Sequence, residues 1–255
     1  MVTDQEFERY QIRALQKALD IMDCFTPKTP ELTLTDLQKR LDMDKTNIYR
    51  ILVNLEYRGI LRRNPETGKF RLSLQMLRYS QASLAKYEIR DIAKPFLQEL
   101  SKLTGETVVI NTVQGLSGIC IERINSENIL RITAQLGQSV PLLRGASGKV
   151  LAAYLEIDKL RAVYEKERPQ LTASFGQLQA ELQKIRTEGY AISYEEIDPG
   201  TFGVSFPIFC ASGEVRENLS VMAPMFRCNQ QQVKRLLGLT QQYAMMISHA
   251  RGYLK

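Results

Sequence analysis

Tryptophan is absent from this chain, histidine occurs once at His249, and the cysteines Cys24, Cys120, Cys210 and Cys228 form no C-x-x-C pair. Zinc sites draw on clustered cysteine and histidine, so this inventory argues against a zinc-built fold. Scattered cysteines of this kind are expected as small buried hydrophobes. No segment approaches the roughly 20 continuous apolar residues needed to span a bilayer. The opening Met1-Val2-Thr3-Asp4-Gln5-Glu6 also lacks the charged start and apolar run of a secretory signal. These absences lead to the expectation of a cytoplasmic protein with reduced thiols, no membrane, no metal and no cofactor.

Catalytic constellations are equally scarce. His249 stands beside polar residues with no nucleophile near it in sequence, so a triad has no support. Glu195, Glu196 and Asp198 fall on one expected strand, where adjacent side chains point to opposite faces and do not form an acid/base pair. Gly148-Lys149 is not a phosphate-binding loop, because only two residues separate Gly145 from Gly148 and Val150 follows the lysine. An enzyme is not expected.

What is present is charge in one place. Between Lys45 and Tyr79 eight basic residues stand against Glu56 and Glu66, a net +6 that equals the charge of all 255 residues. A composition that is 44% hydrophobic can build real cores, and the length suits two modest domains. The basic stretch is expected to be ordered, because Ile48, Ile51, Leu52 and Leu55 recur at the spacing of a buried helix face. Ordered, helix-borne positive charge points to a nucleic-acid-binding surface.

The surrounding residues shape that surface. Leu15, Ala18, Leu19 and Met22 predict the apolar stripe of a first helix. A second helix is expected from Thr35, with Gln38 at the reciprocal capping position and Leu37 and Leu41 inward. Asp44 is placed to cap a third helix that runs to about Arg58 and stops at Gly59. This is helix-turn-helix spacing. Lys45, Thr46, Asn47, Tyr49 and Arg50 are the candidate base-reading residues, since a major groove admits one helix and offers patterns that Arg and Asn read in pairs of hydrogen bonds. Gly59 to Arg63 and Lys69 to Leu72 predict two short strands around Asn64-Pro65-Glu66-Thr67-Gly68, a wing. Alternation puts Phe70 and Leu72 on one side and Lys69 and Arg71 on the other. Arg62, Arg63, Lys69 and Arg71 are then the candidate phosphate contacts.

The run Leu34-Thr35-Asp36-Leu37-Gln38, followed by Lys45-Thr46-Asn47-Ile48-Tyr49-Arg50-Ile51-Leu52 and Tyr57-Arg58-Gly59-Ile60-Leu61-Arg62-Arg63, resembles the winged helix of the isocitrate lyase regulator (IclR-type) family. That resemblance implies a bacterial transcriptional regulator. Thr46-Asn47 departs from the small pair usual in the family after the lysine.

Leu74, Leu77 and Leu84 continue a helical pattern through Lys86, expected to connect the two domains and to invite pairing. A homodimer or dimer of dimers is expected, because two half-sites about one DNA turn apart multiply discrimination. The domains are therefore read as 1–73 for DNA, 74–88 as linker helix, and 89–255 as the second domain. From Ile89 the pattern predicts a helix bearing Ile92, Phe96, Leu100 and Leu103, interrupted early by Pro95. Strands follow at 107–113, 118–123 and 129–133, helices at 146–165 and 176–188, strands near 190–197, 202–210 and 216–223, and a last helix from 229 to 251. An antiparallel sheet flanked by helices gives an α+β class.

Gly137-Gln138-Ser139-Val140-Pro141-Leu142-Leu143, Gly145 through Ala153, Glu188-Gly189-Tyr190-Ala191 and Ser220-Val221-Met222-Ala223-Pro224 resemble landmarks of the same family's effector domain, which is similar to the GAF fold. Gly145-Ala146-Ser147-Gly148 precedes an apolar helix, whose free N–H groups form a potential anion site suited to a carboxylate. By resemblance, an effector pocket involves Ala146, Ser147, Ser193, Thr201, Gly203, Ser205, Ser220 and Met222. Gly203 stands where many members have cysteine, Ser193 where an acid is common, and Met222 where serine is frequent. The expectation is an apolar-leaning pocket for a small aromatic or branched organic acid. The alternative is a constitutive DNA-bound scaffold or partner-recruiting protein whose second domain holds no ligand.

Overall fold

The computed structural model describes residues 4–84 and 89–254 of the chain. They form two compact units, Met1–Lys86 and Tyr87–Lys255. Among the described residues no helix is long and apolar enough to cross a membrane, and no group of three or more His, Cys, Asp or Glu side chains is placed to hold a metal ion.

The first unit is a winged helix-turn-helix. Its elements are α1 (Asp4–Tyr10), α2 (Arg13–Asp23), β1 (Glu31–Leu32), α3 (Leu34–Arg40), α4 (Lys45–Tyr57), β2 (Leu61–Arg63), β3 (Phe70–Leu72) and α5 (Met76–Leu84). Ile21, Phe25, Leu32, Leu37, Ile48, Leu52, Leu61 and Phe70 make one small core. The strands are antiparallel in the order β1-β3-β2. β1 was not expected, because two residues are too short to show a period and only pairing with β3 makes them a strand.

Three local expectations need correction. The buried side of α2 is Ile21, continued by Phe25 beyond its end, whereas Leu15 and Leu19 are 52% and 44% exposed. Ala18 and Met22 of the expected stripe are half-buried at the edge of that side, so the stripe meets the core along one border only. The cap of α3 is Thr33, not Thr35: Thr33 Oγ1 accepts from the Asp36 backbone N–H while Asp36 accepts from the Thr33 N–H. Leu72 is exposed, and only Phe70 packs beneath the wing.

At α4 the expected cap is present, with Asp44 accepting from Asn47 N at 2.9 Å. Gly59 follows the helix at φ +71°, a conformation that glycine adopts without Cβ strain. Hydrogen bonds from Thr33 hold the Asp36 carboxyl below the usual carboxylate range, and those from Asn47 do the same for Asp44. The capping contribution of both is present above the ordinary carboxylate pKa and is lost as pH falls through the lowered values.

The second unit is an α+β assembly on an antiparallel six-stranded sheet in the order β6-β5-β4-β9-β8-β7. Its strands are β4 (Thr107–Gln114), β5 (Ser117–Ile124), β6 (Ser139–Val140), β7 (Ala191–Tyr194), β8 (Thr201–Phe209) and β9 (Val215–Pro224). Its helices are α6 (Ile89–Thr104), α7 (Gly145–Ala152), α8 (Ile157–Glu167), α9 (Phe175–Glu188) and α10 (Gln230–Ala250). Val108, Ile110, Phe202, Val204, Leu219 and Val221 pack with α6 and α10 in the main core. A second core joins α7, α8 and α9.

Residues 129–133 are not a strand. Ile129 is 95% exposed, the place beside β5 is taken by β6, and the carbonyls of Leu130 and Ile132 accept from Arg227 and from Thr107 Oγ1. The helix expected over 146–165 is two helices. α7 is buried along nearly its whole length and α8 on one side only, so the chain turns between Ala153 and Glu156. Pro95 lies on an exposed position of α6 and the helix runs through it, with Ala93, Leu97 and Leu100 as the buried stripe and Leu103 exposed.

Candidate functional site

Two sites emerge, one in each unit. On α4 the side chains of Lys45, Thr46, Tyr49 and Arg50 are exposed, opposite the buried Ile48 and Leu52. Asn47 is half-buried and its amide donates to the Asp44 carboxylate, so it is the candidate already engaged within the fold. On the wing, Arg62, Arg63, Lys69 and Arg71 are all exposed. Arg62 and Arg71 face one another across the ladder, and Arg63 lies over the Phe70 ring at 5.5 Å.

Like charges directly opposite are unfavourable unless an anion lies between them. Among the described residues none of Lys45, Arg50, Arg62, Arg63, Lys69 and Arg71 forms an ion pair. In the second unit, Arg90, Lys149, Arg227 and Arg251 are each paired with a carboxylate. A rigid surface of unpaired cations can neutralise phosphates and release their counterions.

The second site is a cavity of ≈130 Å³ between α7 and the sheet. Strand alternation builds it. The face opposite α6 and α10 carries the cross-strand rows Ser193–Gly203–Met222–Thr107 and Ala191–Ser205–Ser220–Val109. Ala146, Ser147, Ser193, Thr201, Gly203, Ser220 and Met222 all line the cavity. Ser205 does not. It lies fully buried behind Ser220, whose hydroxyl donates to it at 2.9 Å, while its own hydroxyl donates to the Leu219 carbonyl. Val109, Cys120 and Ala134 form a small apolar cluster with Met222 that makes one wall.

The helix beside this cavity is held by buried polar groups. Asn111 Nδ2 donates to Ser147 Oγ at 2.6 Å and to Asn218 Oδ1 at 3.1 Å, and Asn218 Nδ2 donates to the Ser147 carbonyl. Glu167, buried on α8, accepts from the N–H groups of Leu142 and Leu143 at 2.7 and 3.1 Å. Glu196 accepts from Gly145 N at 3.1 Å and pairs with Lys149 Nζ at 2.7 Å, which also meets Glu181 at 2.6 Å. Burial opposes the charge on Lys149, yet the hydrogen bonds from Glu181 and Glu196 outweigh it and its pKa is raised. Part of the anion site expected at the start of α7 is thus filled by the chain's own carboxylate.

Residues 14–65 match the IclR helix-turn-helix domain, and residues 81–249 match the bacterial transcriptional regulator IclR C-terminal domain. The chain belongs to the IclR family. The HTH-type transcriptional regulator XynR of Escherichia coli (strain K12) is 30% identical over 247 residues, covering 95% of this chain and 98% of that protein. The crystal structure of Thermotoga maritima IclR superimposes with a TM-score of 0.77 at 26% identity, covering 95% of this chain and 100% of the other. An IclR homolog from Microbacterium hydrocarbonoxydans complexed with 4-hydroxybenzoate has the same fold, with a TM-score of 0.79 at 19% identity over 93% of this chain and 98% of the other. This IclR-family chain is a transcriptional regulator with a helix-turn-helix DNA-binding domain, which places it outside the enzymes.

Several residues at the IclR-family cavity escaped the sequence reading: Asn111, Cys120, Thr133 and Gln138. Asn111 did leave a signal, a polar residue inside the β-rich run from Val108 to Val113. The Cys120 thiol is pushed up to about 11 by burial, so it lines the cavity as a neutral group. Cys228 is likewise pushed up to about 11 by burial, whereas a hydrogen bond with Ser212 lowers Cys210. In the native protein a thiol reagent at mildly alkaline pH should modify Cys210 first and Cys120 far more slowly. Peptide mass spectrometry over a time course checks the order.

Proposed function

We propose that this IclR-family regulator binds operator DNA as a homodimer or dimer of dimers in the cytoplasm, and that a small organic acid in the α7 cavity modulates that binding. Residues 1–73 act as the DNA-binding module, 74–88 as connector and 89–255 as the GAF-like effector domain. Lys45, Thr46, Tyr49 and Arg50 meet base edges and Arg62, Arg63, Lys69 and Arg71 meet phosphates. The observation that carries the effector half is the cavity itself, with hydroxyls of Ser147, Ser193 and Ser220 on one part of its lining and an apolar wall elsewhere. The 4-hydroxybenzoate complex of a structural relative supports an acid of this size. Pairing of two copies is supported by the apolar side chains of Phe7, Ile12, Leu15 and Leu19, which are exposed on and between α1 and α2.

An effector works only through unequal affinity for two states, and a hundredfold change in DNA affinity needs about 2.7 kcal/mol of differential binding. A panel of small carboxylic acids, aromatic and aliphatic, tests the reading by thermal shift. An acid at a hundred times its Kd stabilises by about 2.7 kcal/mol, roughly 5–10 °C for a domain of this size. The same acid must then alter duplex binding.

A second reading is a constitutive DNA-bound scaffold whose cavity takes no ligand. Glu196 favours it, because the Gly145 N–H that would meet a ligand carboxylate already has a partner. No thermal response across the panel would select this reading.

A further inference from the structure

A second cleft, of ≈480 Å³, separates α2 from α4 in the first unit. Its floor is apolar, with the small side chains of Ala14 and Ala18 facing Ile51 and Leu55. Its rims are polar. Arg13 and Lys17, one turn apart on α2, stand across from Asn47, Arg50 and Asn54 on α4, and no acid is among the lining residues. Neither Arg13 nor Lys17 forms an ion pair among the described residues. Arg13 and Lys17, side by side on one rim, repel each other, and an anion seated between them removes that penalty.

The cleft's position relative to the wing gives it meaning. At 100° per residue, Arg50, Asn54 and Asn47 border one side of the exposed face of α4, while Lys45, Tyr49 and Glu56 border the other. The wing joins on that other side, where Glu56 Oε1 accepts from Arg63 N at 3.3 Å. Cations therefore flank α4 on both sides, from α2 and from the wing. A major groove is about 12 Å wide and is walled by one phosphate backbone on each side.

We propose that Arg13 and Lys17 form a phosphate clamp, seating the backbone on the groove wall opposite the wing so that α4 is held between two strands of phosphates. The clamp rests on the DNA-binding reading of α4 and the wing. It carries no sequence information, because phosphates present the same oxygens whatever the base. The glutamine variants Arg13→Gln and Lys17→Gln keep part of each aliphatic stem while removing both charges.

The test uses the full chain and a mixed-sequence duplex of about 30 base pairs, roughly three helical turns, with Kd measured over a salt series. The double glutamine variant should weaken binding about tenfold and reduce the log–log salt slope by about two, close to 0.9 for each lost contact. The exchange Arg13→Lys with Lys17→Arg should restore the slope. Melting and sedimentation of the variants, unchanged from the native chain, exclude unfolding and loss of assembly as the cause. An unchanged slope for the glutamine pair, while Arg63→Gln with Lys69→Gln lowers it, overturns the clamp and leaves the wing reading intact. Absence of salt-dependent duplex binding by the native chain overturns both.

Discussion

Gly148→Ala should destabilise the second unit by more than about 3 kcal/mol, above the usual range for an overpacked site. A Cβ on Gly148 would lie 1.9 Å from the Pro141 carbonyl oxygen, 2.9 Å from its carbon and 3.0 Å from the Leu142 carbonyl carbon. All three are backbone atoms, so no rotamer change relieves the clash. Nor can either partner retreat easily. The N–H groups of Leu142 and Leu143 are fastened to Glu167, and Ser147 is fastened to Asn111 and Asn218. In calorimetry the melting of this unit should fall by roughly 10 °C, taking 2–4 °C per kcal/mol. Gly176→Ala is the control, since its Cβ meets nothing within 4 Å in α9 and the change should be neutral or stabilising by about 0.4–1 kcal/mol. Equal melting temperatures for the two variants would refute the close crossing of α7 over the Pro141 segment.

The second large effect is electrostatic. Changing Arg62, Arg63, Lys69 and Arg71 together to glutamine should lower the salt slope of duplex binding by about 3.6, at about 0.9 per phosphate. Between about 50 and 200 mM salt, that difference alone makes the native chain's loss of affinity roughly a hundredfold greater than the variant's. The fold should survive, because these side chains are exposed and the core residues Leu61 and Phe70 are untouched. Arg50→Ala should behave differently, removing about 1–3 kcal/mol of discrimination between bases with little change in slope. A quadruple variant whose slope matches the native chain would remove the wing from the DNA contact. Equal loss for Arg50→Ala on preferred and random sequences would remove its base-reading role.

Legibility differed between the two sites for physical reasons. The DNA face was readable because it rests on local rules: Asp44 caps α4, Ile48 and Leu52 repeat at helical spacing, and Gly59 ends the helix. Each involves residues only a few positions apart. The cavity required strands far apart in sequence to stand in register, and its residues were assigned through family resemblance. That route placed Ser205 at the lining although it lies behind Ser220, and it passed over Asn111. The errors at Leu15, Leu19 and residues 129–133 share one origin. Apolar or β-branched side chains report a preference for burial, and whether burial occurs depends on which surface arrives opposite them.

The amino-acid order alone determined the helix-turn-helix with its wing, the concentration of charge there and the α+β class of the remainder, because caps, turns and periodicity act over a few residues. Only the tertiary structure decided that Glu167 and Glu196 would occupy the N–H groups before and at α7, and that Lys149 would be buried between two carboxylates. It also brought Arg13 and Lys17 to the same cleft as Arg50. Those contacts join residues separated by 24 to 51 positions in the carboxylate cases, and their existence depends on how whole elements pack, a property that no short stretch of sequence contains.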